Sequence, residues 1–283
     1  MTTTSTTSVT TSPTAIASSA AREHNWRIGA RQTLAMSKRS VLALIRQPAL
    51  IVPSMVFPLF FAALGTSSFG KAINLPGFPK VDSFLDFSLA GTVVQGVLFG
   101  SVQSGSALAT DIENGFFYRL MAAPSSRLGI LLGRLAGAAA YGAFQTAFFC
   151  VLLLPFGMTI KGGVLGALIM VLGGGLIAIA ISGFMAAMAL RTGSSESVQG
   201  IFPLVFIALF FSSAFFPRET MSGVYKNIAD FNPISHLIEG MRDLCIDGVS
   251  SGAVARTILV PVGIGIISFS IALRSLAKRV AAQ

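Results

Sequence analysis

Few residues in this 283-residue chain could do chemistry, and their placement rules most of it out. The two histidines, His24 and His236, fall on opposite sides of a membrane in the topology worked out below, so no paired-His metal site forms. The two cysteines, Cys150 in an apolar stretch and Cys245 in a late polar one, lie too far apart in that topology to suggest a disulfide. Ser104 and Gly105 have no histidine partner on their own side of the midplane, so no nucleophile-plus-base pair is visible. No GxxxxGK(S/T) phosphate loop occurs, so the chain does not bind ATP by that route. No carboxylate falls inside an apolar stretch, whereas ion-coupled carriers usually bury one. The chain is expected to be no enzyme, to hold no metal or cofactor of its own, and to draw its energy from a separate subunit.

What remains is contact chemistry. Phe202, Phe206 and Phe210 form an i, i+4, i+8 stripe with Phe211 and Phe215 beside it, and Phe57 and Phe61 repeat the spacing. The stripe either faces lipid or lines an apolar path. With 23 Phe against three Tyr and one Trp, such a path suits a drug-like or lipid cargo better than a carbohydrate. A second group sits in residues 111–134, where Phe116 pairs with Leu120 and Phe117 with Met121 on a short helix that Pro124 and Ser125 stop. On so short a loop these side chains are expected to find no core within the chain. They either dip into lipid or insert into a groove on a partner. A third group follows a break at Pro217. Asn232 is a helix N-cap with Pro233 at the first helical position, and Ile234, Leu237, Ile238, Met241, Leu244 and Cys245 then share one face. That helix reads as a re-entrant element or an outer lid.

The elements that carry these groups follow from composition. The chain is 53% hydrophobic and only 11% charged, with a mean hydropathy of +0.76. Soluble domains are about 25% charged, so this chain is embedded in a membrane. A soluble enzyme, a DNA-binding domain and a secreted disulfide scaffold are excluded. Uncharged gaps cover residues 47–70, 87–110, 135–160, 162–190, 197–217 and 257–273. About 20 apolar helical residues cross a bilayer; the last gap reaches that length if Arg256 snorkels and the helix starts near Ser251. Six spans are expected. Glycines four apart, such as Gly96 and Gly100, Gly129, Gly133 and Gly137, or Gly162 and Gly166, would let helices approach closely, as would Gly173–Gly175.

The formal net charge of +9 and a pI near 10.3 look like a nucleic-acid signature until the charges are sorted by side. With the N-terminus inside, thirteen basic and four acidic residues face the cytoplasm, and seven of each face outward. All of the surplus is therefore inside, as the positive-inside rule requires. Both termini are expected in the cytoplasm, the membrane is the plasma (inner) membrane, and no nucleic acid is needed as a partner. Residues 1–21, rich in Thr and Ser and without a basic start or an apolar core, read as a disordered tail rather than a signal peptide. Residues 22–48 interleave Trp26, Leu34 and Val41 with Arg27, Arg31 and Lys38, which suits either an interfacial helix or a solvated basic linker. Pro48 and Pro53 are expected to break it from the first span. The six-span domain then covers 49–283.

In its plan over 26–280 the sequence resembles the permease subunit of type-2 ABC exporters, in particular the daunorubicin-resistance-like group. Asp111, Glu113 and Gly115, followed by Leu120, Pro124 and Arg127, look like that family's coupling segment. Asn232-Pro233 followed by Glu239 and Arg242 looks like its signature before the last span. Asn114 stands where the family often has Arg after the loop's Glu. The resemblance implies an all-α integral membrane fold with an interfacial helix, six spans and an outer re-entrant helix. It also implies coupling to an ATPase through Glu113, Gly115, Phe116, Phe117, Leu120, Met121, Pro124 and Arg127, and a cargo path near Phe202, Phe206 and Phe210. The implied partners are an ABC ATPase subunit that holds the ATP and Mg, membrane lipid, and a second permease copy in a homodimer or paralogous heterodimer. The expected function is outward movement of an apolar or amphiphilic cargo; a secondary carrier or channel independent of ATP is the alternative.

Overall fold

The computed structural model describes residues 48–122 and 127–281. The expected tail over 1–21, nearly all of the interfacial segment over 22–48, and Pro124 lie outside the described residues. Ten α-helices are described: α1 (Pro48–Phe69), α2 (Phe84–Glu113), α3 (Phe116–Ala122), α4 (Arg127–Leu153), α5 (Gly163–Thr192), α6 (Ser195–Gln199), α7 (Phe202–Phe210), α8 (Gly223–Phe231), α9 (Pro233–Ile246) and α10 (Ser251–Ala281). Five of them, α1, α2, α4, α5 and α10, are long and apolar enough to cross a membrane.

Helix α2 is the axis of the bundle. It is buried along nearly its whole length and touches α1, α4, α5, α6, α7 and α9. Glycine makes this possible by removing side chains where neighbours cross. A Cβ on Gly96 would fall 2.6 Å from the Phe149 ring, and one on Gly100 2.7 Å from the Tyr141 ring, both on α4. Gly105 abuts Met185 of α5, so the Ser104-Gly105 step is a packing contact. Gly174 lies against Thr146 of α4, and Gly183 against Ser268 of α10.

Helix α1 starts at Pro48 and runs straight through Pro53 and Pro58, so Pro53 is no break. Pro58 has no N–H, which orphans the Ser54 carbonyl one turn earlier. In an apolar surround that group needs a donor. Gln145 of α4 supplies it, its Nε2 donating to Ser54 O at 2.8 Å, while Ser54 Oγ and Tyr141 Oη pair at 2.8 Å.

The segment expected as a continuous span over 197–217 is instead broken. The helical stretch stops at Gly200, restarts as α7 with Pro203 in its first turn, and ends at Phe210. Proline tolerates a first turn but not a helix interior, so Pro203 sets the break. The chain nevertheless runs from one end of α2 to the other. Ser195 donates to Glu113 at the α2 C-terminus through its N–H at 2.7 Å, and Ser213 shares Arg242 with Phe87 near the α2 N-terminus.

At that N-terminal end Ser83 and Asp86 form a capping box, and Asp86 also accepts the Thr159 N–H at 2.7 Å. Cys150 and Cys245 belong to one buried core cluster there. Both are free thiols. Cys245 donates to Thr159 O at 3.1 Å, and burial pushes its thiol up to about 12.

Replacing Gln145 with Leu leaves Ser54 O without its side-chain donor, a loss of about 1–3 kcal/mol. The expected outcome is a lower melting temperature of the purified protein in detergent, read by scattering or intrinsic fluorescence.

Candidate functional site

The aromatic stripe is where chain segments from three helices converge. Phe202 lies 4.6 Å from Phe99 of α2, ring centroid to centroid. Phe206 meets Phe57 and Phe61 of α1 at 6.0 and 6.4 Å. Phe210 stacks on Phe215 at 4.7 Å, and Phe215 returns to Phe61 at 5.9 Å. The stripe is thus a seam joining α1, α2 and α7 rather than a face turned wholly to lipid. Phe202 and Phe206 are half-buried and Phe210 is exposed. At the α2 N-terminal end the seam opens into a cavity of about 270 Å³ between α1, α2 and the turn after α7. Phe61, Phe84, Phe210 and Phe215 wall it, and α2 lends it Ser88, Thr92 and Gln95.

The turn beyond α7 is held by side chains the sequence flagged for other reasons. Asn232 is the N-cap of α9, its Oδ1 accepting from Ile234 N at 2.9 Å. Its Nδ2 donates to Ala208 O at 2.7 Å and Phe211 O at 2.9 Å, so one side chain caps two helices. Ser213 and Ser235 exchange two further bonds at 3.3 Å. Arg242 is only 5% exposed. Its guanidinium donates to Phe87 O at 3.1 Å and Ser213 O at 2.6 Å, and stacks 3.8 Å over the Phe87 ring. Burial pushes its pKa down to about 10, against the pull of nearby Glu239 and Asp243, which leaves it charged at neutral pH. Glu239 itself pairs with Arg218, and Asp243 with Arg256 at 3.1 Å. The face expected on this helix is real: Leu237, Ile238, Met241, Leu244 and Cys245 are buried, and Ile234 is half-buried.

At the opposite end α3 packs on the bundle through Phe117. Gly115 has φ +69°, the left-handed conformation that lets the chain reverse from α2 into α3. Phe117 is 3% exposed, packed in a core with Leu108, Ile112, Ile130, Leu131 and Leu276. This corrects the expectation that the loop's apolar residues find no core in the chain. Helices α4 and α10 run seven residues past Arg134 and Arg274, the charged residues taken as span limits, and Phe117 packs against them and the end of α2. Leu120 and Met121 are half-buried against the same cluster, Phe116 is half-buried, and Arg119 is exposed. Arg279 of α10 fixes the arrangement by donating to Tyr118 Oη at 2.7 Å and Leu190 O at 2.8 Å. Glu113 is engaged by Ser195, and Asn114 ends α2. Arg127 begins α4.

Sequence reading missed the polar residues of the interior: Ser54, Gln95, Tyr141, Gln145 and the Asp86–Thr159 pair. Two signals were available. A glutamine within an apolar run is costly unless it serves a purpose, and a proline inside a span announces an orphan carbonyl four residues back.

These features define a multi-pass helical membrane protein with an aromatic seam and a turn pinned by buried polar side chains. The chain belongs to the ABC-2 type transporter family, whose profile matches residues 31–245. It is 30% identical over 218 residues to the daunorubicin resistance ABC transporter permease protein DrrB1 of Streptomyces coeruleorubidus, covering 75% of this chain and 74% of that protein. It is 29% identical over 215 residues to the putative transport permease ycf38 of Pyropia yezoensis, covering 74% and 72%. It is 24% identical over 223 residues to the probable doxorubicin resistance ABC transporter permease protein DrrC of Mycobacterium tuberculosis, covering 78% and 79%.

Asn232→Ala removes one helix cap, worth about 1 kcal/mol, and both donors to the end of α7. Amide exchange at residues 208–213 and 234–236 is expected to speed up at least tenfold, with exchange in α5 unchanged.

Proposed function

We propose that this chain is the membrane subunit of an ATP-driven exporter that moves an apolar or amphiphilic cargo outward. The observation that carries the reading is its likeness, over about three quarters of its length, to permeases named for daunorubicin and doxorubicin resistance. The energy comes from a separate ABC ATPase, which holds the ATP and Mg²⁺. Two permease chains, identical or paralogous, assemble with two such subunits in the plasma membrane.

The segment 195–213 counts as the sixth crossing, broken though it is, because Ser195 bonds to Glu113 at one end of α2 while Ser213 shares the Arg242 guanidinium with Phe87 at the other. An even number of crossings keeps both termini on one side. The Arg119, Arg134, Arg191, Arg274, Lys278 and Arg279 end is the cytoplasmic one by its basic excess. Helices α8 and α9 then form the outer re-entrant element. ATPase closure pushes on α3, whose exposed Arg119 and half-buried Phe116, Leu120 and Met121 form the contact. Phe117 acts beneath them as the anchor that passes the push to α2, α4 and α10. The Phe202, Phe206 and Phe210 seam is the wall along which an apolar cargo moves.

Arg119→Glu and Leu120→Asp are expected to reach the membrane in normal amount, yet to lose at least tenfold in ATPase co-purification and cargo efflux. Phe117→Asp differs: a buried unpaired carboxylate destabilises by about 3 kcal/mol or more, so its melting temperature falls as well. Full retention of the ATPase by both Arg119→Glu and Leu120→Asp would remove α3 from the coupling role.

A further inference from the structure

We infer that the adjoining ends of α5 and α10 bind an anionic phospholipid, with Arg191, Arg274 and Lys278 holding its phosphate and the exposed face of α10 bedding its acyl chains. All three side chains are exposed, and among the described residues none of them pairs with a carboxylate. Arg191 is held in place without being neutralised. Its Nε donates to Ser275 Oγ at 3.1 Å, and that hydroxyl donates onward to Ile271 O at 2.9 Å. Ser275 is buried, so the bond draws the guanidinium of α5 against α10 and leaves its two terminal NH2 groups open. Those groups form the fork that matches a phosphate. Lys278 lies one turn beyond both Arg274 and Ser275, so the three cations share one side of the α10 end. Arg279 does not join them, because its guanidinium is committed to Leu190 O and Tyr118 Oη. The acids of this end are engaged elsewhere: Asp111 pairs with Arg134, Glu113 accepts from Ser195, and Glu196 of α6 meets none of the three cations.

Basic residues at a membrane surface are expected on any inner flank. What points to a lipid is the face that leads into these three. Leu259, Gly263, Ile266, Ile267 and Ser270 recur at helical spacing on the side of α10 that carries Arg274, and all five are exposed. The one hydroxyl among them, Ser270 Oγ, donates to Ile266 O at 2.7 Å, so the strip needs no water. A Cβ on Gly263 would meet nothing within 4 Å, which leaves a shallow notch between its larger neighbours. From Gly263 to Arg274 the helix rises about 16 Å, the depth of one leaflet in a core about 30 Å thick. Tails laid along the strip therefore bring a phosphate to Arg274 and its two companions. A soluble partner would have to reach Arg274 sideways through the headgroup layer. The bound lipid ties α5 to α10 from outside, and its site stands independently of the exporter reading.

The test uses the full chain purified in dodecylmaltoside and a phosphatidylglycerol with a diazirine in one acyl chain. Adducts are expected on residues 259–270. Unlabelled phosphatidylglycerol should displace the probe at about one tenth of the concentration needed of phosphatidylcholine with the same chains, as two or three basic contacts imply. Added salt should narrow that ratio. Arg191→Gln, Arg274→Gln and Lys278→Gln together should bring it to about one. Lys71→Gln, Lys80→Gln and Lys226→Gln, which remove the same charge from exposed sites at the other end, should leave it unchanged. Should the first triple variant not fold, Arg274→Gln with Lys278→Gln, which spares the Arg191–Ser275 bond, decides by at least halving the ratio. Adducts confined to other segments, or equal displacement by the two lipids, would overturn the site. Displacement by inorganic phosphate as readily as by phosphatidylglycerol would overturn it as a lipid site. Loss of ATPase co-purification in the triple variant with the lipid ratio unchanged would overturn it too, by assigning the three cations to the ATPase.

Discussion

Everything in this chain depends on one constraint. Among lipid tails there is no water to satisfy a backbone N–H or C=O, so each must find a partner inside the protein. An unbroken helix does this by itself, and α2, α4 and α5 obey. The chain also places Pro58 inside α1 and breaks off α7 at Phe210, and each interruption exposes carbonyls. The polar side chains of the interior are the answer to those exposures. Gln145 serves Ser54 O, Asn232 serves Ala208 and Phe211, and Arg242 serves Ser213. Gln95 stands out because it serves nothing among the described residues.

Arg242 shows how far the chain goes to keep its turn. A buried guanidinium is expensive, and here it meets carbonyl oxygens and an aromatic face rather than a direct carboxylate partner. Glu239 and Asp243 flank it on the same helix and help hold its charge, while their own closest partners are Arg218 and Arg256. The result is an ionic layer over a buried cation, binding the turn, α9 and α10 into one rigid cap. At the other end the same logic uses Arg279, which ties Tyr118 of α3 to the last carbonyls of α5. The two ends are fixed by hydrogen bonds and charges; between them the phenylalanine seam adds ring contacts, and Gln145 and Tyr141 tie α1 to α4 at Ser54.

Much of this was legible in the sequence. Charge gaps located the long helices, and the start of α10 at Ser251 follows from letting Arg256 reach outward. The Asn232-Pro233 start of α9 and its buried face were readable because capping and 3.6-residue periodicity are local rules. Gly96, Gly100 and Gly173–Gly175 mark true helix crossings. What escaped was non-local. The run 197–217 has the composition of a span, and only Gly200, Pro203 and the anchoring of Ser213 show that it is not one continuous helix. Phe117 was expected to find no core in the chain because the charge gaps end the helices too early; α4 in fact starts at Arg127 and α10 runs on to Ala281. The double duty of Asn232, and the service of Gln145 to a carbonyl 91 residues away, cannot be seen from spacing at all.

The reach of the Arg242 contacts bears on how the protein is made. Arg242 bonds to Phe87 across 155 residues of chain. At about 5–20 residues per second of synthesis, the start of α2 leaves the ribosome roughly 10–30 s before its clamp exists. Thr159 reaches Asp86 in about half that time, 73 residues on. During that interval this end of the bundle has its Asp86–Thr159 contact but not its Arg242 clamp, and the last third of the nascent chain brings the piece that seals it.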